Sequence, residues 1–226
     1  MAKRRSKRYT QCLASLPEGK VPLAEAAKVV AGFTHTKFDP TVELVMHLGI
    51  DPKQAEQALR GSLSLPHGIG ASRKVIAFCE EGDVEAAKAA GAIEAGNEEL
   101  VKKVQDGWMD FDVAVASQKV MKDVSKLGRV LGPQGKMPSP KAGTVGPDVA
   151  KMVTEYAAGK VEFRNDDGGN LHVPVGKASF QPDQLADNAR AFIDHIRSLR
   201  PSTTKGTYIK KICLTATMSP AVEVEL

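Results

Sequence analysis

The chain has 226 residues, 42% apolar and 26% charged, so it folds rather than staying disordered and is long enough for two ordinary domains. Aromatics are 5% with one Trp, which argues against an aromatic-lined sugar or choline site, and no run approaches the ~18 apolar residues of a membrane span. Net charge is only +4; Cys12, Cys79 and Cys213 are scattered and read as reduced thiols of a cytoplasmic protein, not as a disulfide framework or zinc site.

The opening MAKRRSKRYT is basic with no apolar segment behind it, so a mobile arm is expected and a secretory signal is not. Leu23–Val30 is helical in period and Gly32 is placed to stop it. From Thr41 the chain alternates, with Val42, Leu44, Met46 and Leu48 on one side, which predicts a half-buried strand. Ser62–Leu65 reads as a short strand, and Pro66, Gly68 and Gly70 form a hinge-like break. Beyond it, apolar runs at 74–79 and 111–116 alternate with helical stretches at 84–90, 97–105, 118–127 and 147–158. Asn97 is the expected cap of the second stretch and Pro147 the first residue of the last. Strands alternating with helices predict a largely parallel sheet.

At Gly159 the style changes again. Val161–Asn165 and Leu171–Val175 flank Asp166-Asp167-Gly168-Gly169-Asn170, which predicts a hairpin. Pro182–Leu199 is an amphipathic helix with Leu185, Ala189, Phe192, Ile193, Ile196 and Leu199 on one face, ended by Pro201. Tyr208–Met218 reads as a long strand. Neither outer segment has enough elements for a core alone. A discontinuous α+β, sandwich-like domain of residues 1–67 plus 160–226 is therefore expected, with a Rossmann-like three-layer α/β domain, 68–159, inserted in it. Gly-rich crossings would let the two move. The three segments carry +4, −1 and +1, so the basic surface belongs to the ends. That points to a polyanion partner; a solubilising tail is the other reading.

Catalytic patterns fail on inspection. Gly68-Ile69-Gly70 begins a dinucleotide fingerprint, but Arg73 occupies the third glycine position and a strand follows. Gly135-Lys136 lacks the upstream Gly of a phosphate loop, and Met137 stands where Ser or Thr would hold magnesium. His35, His47, His67, His172 and His195 have no ligand spacing, and Cys79 lies in an apolar run. A nucleotide enzyme is thus set aside, and no cofactor, metal or small-molecule substrate is expected. What remains is the loop Leu131–Val145, with three Pro, three Gly and two Lys, a rigid exposed segment whose backbone and lysines suit a phosphate backbone or else serve as a structural connection.

That loop, LGPQGKMPSPKAGTV, closely resembles the signature of the bacterial large-subunit ribosomal protein L-one family, and KFDPTVELVMHLGID, RGSLSLPHGIG, FDVAVAS, VEFRND and KGTYIKKICLTATM resemble further family segments in the same order. The resemblance runs over residues 20–219 and is specific. It implies a two-domain protein of the ribosome's mobile stalk, with the main RNA-binding face on the domain joining the chain ends. It implies binding to large-subunit ribosomal RNA, a part in releasing exit-site tRNA, and repression of translation through its own operon's mRNA. A dedicated non-ribosomal RNA-binding repressor would read the same. Neither version is an enzyme or touches a membrane.

Mapped onto this chain, the face takes in Lys37, Phe38, Thr41, Glu43, Arg60, Arg164, Asp166, His172, Thr215, Thr217 and Met218, with Gly132, Gly135, Lys136 and Lys141 as a second RNA-contact loop. Charges suit phosphates; hydroxyls and a carboxylate suit 2′-hydroxyls. Phe38 is read either as core or as a base contact, and Glu43 either as solvated or as an acceptor. The chain departs from the family where Ser219 follows Thr-Met in place of the usual Gly, and at Ala58, Ser139 and Asp167. The basic arm of Lys3, Arg4, Arg5, Lys7 and Arg8 offsets some of the lost charge.

Overall fold

The computed structural model describes residues 5–33 and 36–225; Lys3 and Arg4 of the basic arm, and His35, lie outside them. Contacts divide the chain into two units, one ending at Gly70 and resuming at Val161, the other Ala71–Lys160.

The first unit opens on helix α1, Lys7–Ala14, where Ser6 caps the start by accepting from the Tyr9 N–H at 3.3 Å. This corrects the reading of residues 1–10 as a mobile arm: from Lys7 onward they are helical. The helix is hard to see in sequence because it buries only Cys12. Helix α2, Leu23–Ala31, buries Ala26, Ala27 and Val30 and stops at Gly32. Its Glu25 lies in the first turn and Lys28 in the last, each complementing the helix dipole. Strand β1, Thr41–Leu48, alternates as expected, its even-numbered residues buried. Strand β2 is Arg60–Leu63, two residues earlier than the sequence reading.

The second unit runs β3 (Val75–Phe78), α3 (Val84–Ala89), β4 (Glu94–Gly96), α4 (Glu98–Gln105), β5 (Val113–Ser117), α5 (Met121–Val124), α6 (Gly128–Leu131), β6 (Val145–Gly146) and α7 (Val149–Ala157). Its strands pair in parallel in the order β4-β3-β5-β6. Leu100, Val104, Val124 and Leu131 pack on Ile76, Phe78, Ala114 and Ala116 on one face. Ala87, Val149, Val153 and Tyr156 pack on Val75, Ala77, Val113 and Val115 on the other. Two covered faces make three layers, and explain why β3 and β5 are continuous apolar runs. The single helix expected over 118–127 is broken into α5, a tight turn at Ser125–Leu127 and α6. Helix α7 begins after Pro147, capped by Asp148, whose carboxylate accepts from the Lys151 N–H at 3.0 Å. Asn97 stands at the start of α4 without capping it. Strand β4, too short to show a period, is new.

The chain returns to the first unit with β7 (Val161–Arg164), β8 (Asn170–Lys177), α8 (Pro182–Ser198), β9 (Ile209–Ala216) and β10 (Ala221–Val224). The main sheet is antiparallel in the order β10-β9-β1-β8, while β2 and β7 form a separate two-stranded ribbon. The expected hairpin is therefore corrected: the strands flanking the turn pair with different partners, β7 with β2 and β8 with β1. Burial accompanies this pairing: Phe163 of β7 lies in the core and meets Phe192 of α8 edge to face, ring centres 5.3 Å apart. Burying one such side chain contributes about 1.5–3 kcal/mol. Helices α2 and α8 pack against each other and against the sheet. Leu199 falls just beyond α8 and is exposed.

Candidate nucleic-acid interface

Strand alternation leaves a second face on the main sheet. It carries Thr41, Glu43, Val45 and His47 from β1, all half-exposed, where their even-numbered neighbours are buried. Glu43 stands opposite Thr215 on β9 and Pro174 on β8; Val45 stands opposite Cys213 and His172. Directly opposed residues have Cβ atoms about 5 Å apart, so Glu43 and Thr215 are near neighbours on this face, with the Thr215 hydroxyl directed at the Ala216 and Ser219 carbonyls, 3.4 Å from each. Burial raises the Cys213 thiol's pKa, which keeps it protonated and inert.

The sheet end is more tightly organised. Thr217 donates to the Thr41 carbonyl twice, by N–H at 2.9 Å and hydroxyl at 3.2 Å, and the Lys177 ammonium donates to the Thr41 hydroxyl at 2.9 Å. Residues 216–219 then turn back into β10, closed by the Ser219 N–H on the Ala216 carbonyl at 2.9 Å. Met218, third in the turn, has φ 67°, and among the described residues it is the one non-glycine in the left-handed region. This is the type II pattern, which favours Gly or Asn there. The Met218 side chain is 65% exposed and its carbonyl accepts from the Arg8 guanidinium at 2.6 Å.

Lys37 and Phe38 precede β1 in an exposed loop, with Phe38 54% exposed, so Phe38 is not a core residue. The loop is pinned by the Asp39 carboxylate, which accepts from the Ser179 N–H at 3.2 Å and hydroxyl at 2.7 Å. Arg60 and Arg164 face each other across the ribbon, both exposed. Two like charges so placed repel, and an anion between them would relieve the repulsion. Asp166 is occupied: one carboxylate oxygen accepts from the Gly168 N–H at 2.9 Å and the Asn170 N–H at 2.7 Å. The other accepts from the Asn170 amide at 3.0 Å and lies 3.8 Å from His172. These bonds, the Asn170 side chain first, hold the carboxyl below its ordinary pKa. Asp166 thus organises the turn and sets His172, which is exposed on the sheet face.

Thr41, Glu43, Thr215, Thr217 and Met218 therefore come together at one sheet end. His172 joins the same face, while Arg60, Arg164 and Asp166 occupy the neighbouring ribbon and turn. Local composition marks neither Lys177 nor Arg8 as part of this end: the β1–β8 register brings Lys177 beside Thr41, and the packing of helix α1 brings Arg8 to Met218.

In the second unit, the 132–145 loop is held by paired bonds between Ser139 and the Thr144 hydroxyl and by the Tyr156 hydroxyl donating to the Ala142 carbonyl at 2.7 Å. Gly132, Gly135 and Lys141 are exposed, Gly135 at φ 70°. Lys136 corrects the expectation of an outward contact: its ammonium donates to the Met109 and Phe111 carbonyls at 3.2 and 2.5 Å and sits over the Phe111 ring. Among the described residues no group of His, Cys, Asp and Glu is arranged to hold a metal, and no helix is long and apolar enough to cross a membrane.

The class defined by this architecture is a two-unit α/β protein, one unit antiparallel with an open polar sheet face, the other a three-layer parallel unit. The model of a family described as the Ribosomal protein L1p/L10e family matches residues 28–220. The chain is 53% identical over 221 residues, 98% of each chain, to the large ribosomal subunit protein uL1 of Rhodopirellula baltica. It is 47% identical over 220 residues, 96% of each chain, to the protein of that name from Thermus thermophilus. The chain belongs to the L1p/L10e family of ribosomal proteins.

Proposed function

We propose that this structural protein of the ribosome works in the large subunit, binding large-subunit ribosomal RNA through the first unit. One observation carries the reading: an exposed, left-handed Met218 beside Thr217, Thr215, Thr41 and Glu43 on an open sheet end. Backbone strain held at an exposed position marks a functional surface. The chemistry fits RNA. The Thr217 hydroxyl spends its proton on Thr41, so it meets a ligand as an acceptor, as Glu43 does. A 2′-hydroxyl is the donor both can use, and DNA lacks it. Lys37, Arg60 and Arg164 supply phosphate contacts, and Phe38 and Met218 pack on sugar or base.

The second unit adds a lesser RNA contact at Gly132, Gly135 and Lys141. The names of the relatives, large ribosomal subunit proteins of 96–98% matching length, support this assignment. In this reading the protein sits at the mobile stalk and assists release of exit-site tRNA. The same face, offered a similar structure in its own operon's mRNA, would repress translation until ribosomal RNA displaces it. The test is sedimentation. The full chain should travel with large subunits at moderate salt, and a chain carrying Thr217→Val and Met218→Ala should be released. Failure of the wild-type chain to co-sediment, with retained binding to the operon mRNA, would instead mark a dedicated repressor.

A further inference from the structure

We propose that Arg8 is a positioning residue for the Met218 turn: its guanidinium holds the turn in the left-handed conformation that RNA meets. The inference rests on the reading of that turn as an RNA contact. A methionine gains nothing locally from φ 67°, because its side chain cannot bond to its own backbone as Asn or Asp can. The conformation must be imposed by neighbours.

The neighbours divide the work. The Thr217 N–H on the Thr41 carbonyl fixes the entry to the turn, and the Ser219 N–H on the Ala216 carbonyl closes it. At the exit the Ser219 carbonyl accepts only a long bond from the Thr215 hydroxyl, at 3.4 Å, while the Ser219 hydroxyl is buried with no hydrogen-bond partner among the described residues. The Met218 carbonyl and the Ser219 N–H belong to one planar peptide unit, and the oxygen accepts from Arg8, 210 residues away in sequence, at 2.6 Å, so that unit is held from both edges, by Ala216 and by Arg8. A short bond from a charged donor is about twice as strong as a neutral one.

Arg8 is itself well placed to clamp. Helix α1 is capped at Ser6, and Cys12, one turn beyond Arg8 on the same face, is buried in the core of the unit. The helix is therefore anchored, and Arg8 reaches the turn from a fixed base.

The experiment is a double-mutant cycle on the full chain, with affinity for large-subunit ribosomal RNA measured across salt and amide exchange of Ser219 measured without RNA. R8Q should weaken binding about tenfold with an unchanged salt slope. It should also speed exchange of the Ser219 N–H, and R8K should recover part of both. In an M218G background, where φ is free, R8Q should change affinity by less than about twofold. An equal loss in both backgrounds, an unchanged Ser219 exchange rate, or a slope flattened by about 0.7–0.9 would overturn the clamp; the last would make Arg8 a phosphate contact. If M218A and T217V bind like wild type, the reading of the turn itself fails. If they weaken and R8Q does not, only the role of Arg8 fails.

Discussion

Thr217, in the turn that follows β9, and Thr41 on β1 are joined by two hydrogen bonds to a single acceptor, the Thr41 carbonyl, at 2.9 Å from N–H and 3.2 Å from hydroxyl. Two donors on one oxygen close the sheet end and fix which lone pairs of the Thr217 hydroxyl face outward. Thr217→Val keeps shape and the backbone bond but loses the hydroxyl. Stability should fall by only about 0.5–1.5 kcal/mol, one ordinary hydrogen bond. Affinity for ribosomal RNA should fall about tenfold or more, since an RNA hydroxyl loses its acceptor at a cost of about 1–3 kcal/mol. Thr217→Ser should behave like wild type in both. Thermal melts and filter binding on one set of proteins check this.

Ser219 makes the opposite kind of prediction. Its hydroxyl is buried without a partner among the described residues, and its φ is not in the left-handed region. Ser219→Ala removes the unsatisfied group without adding backbone freedom, and should stabilise the protein by about 1 kcal/mol. Ser219→Gly should gain less, because glycine adds about 0.5–1 kcal/mol of chain entropy cost. Denaturant midpoints at constant m-value decide it.

Charge should separate contact lysines from structural ones. Lys37→Gln, Arg60→Gln and Arg164→Gln, all at exposed positions, should each flatten the log–log salt dependence of RNA binding by about 0.7–0.9. Lys136→Gln should leave that slope unchanged and lower the stability of the second unit, because its ammonium serves two backbone carbonyls. A flattened slope for Lys136→Gln would return it to the RNA surface.

Acid should loosen the 166–170 turn. The folded-state pKa of Asp166 is depressed, first by the Asn170 side chain, so its contribution to stability is present above the unfolded value near pH 4 and disappears as pH falls through the lower folded value. Exposure to solvent keeps this contribution small. Wild type should therefore lose slightly more stability than Asp166→Asn between about pH 5 and pH 3. Parallel pH dependences for the two would show that the carboxylate does not hold the turn.

Local pattern determined a great deal here. The alternation of Val42, Leu44, Met46 and Leu48 fixed the inward face of β1 and hence the outward placing of Thr41 and Glu43. The stripe of Leu185, Ala189, Phe192 and Ile196 fixed the buried face of α8. Unbroken apolar runs at β3 and β5 announced a sheet covered on both sides. Periodicity states which side of an element avoids water, so it was legible. It does not state which element lies alongside. The Asp166–Asn170 turn has the composition of a hairpin, yet β7 pairs with β2, about a hundred residues earlier in the chain, with Phe163 buried against Phe192. Lys136 looked like a surface cation until the carbonyls of Met109 and Phe111 took its ammonium. Arg8 lies beside Met218, and Lys177 beside Thr41, only because antiparallel register brings distant strand ends and a capped helix to one place. Hydrogen-bond partners of exposed groups are chosen by how the chain crosses itself, and that choice belongs to the tertiary structure alone.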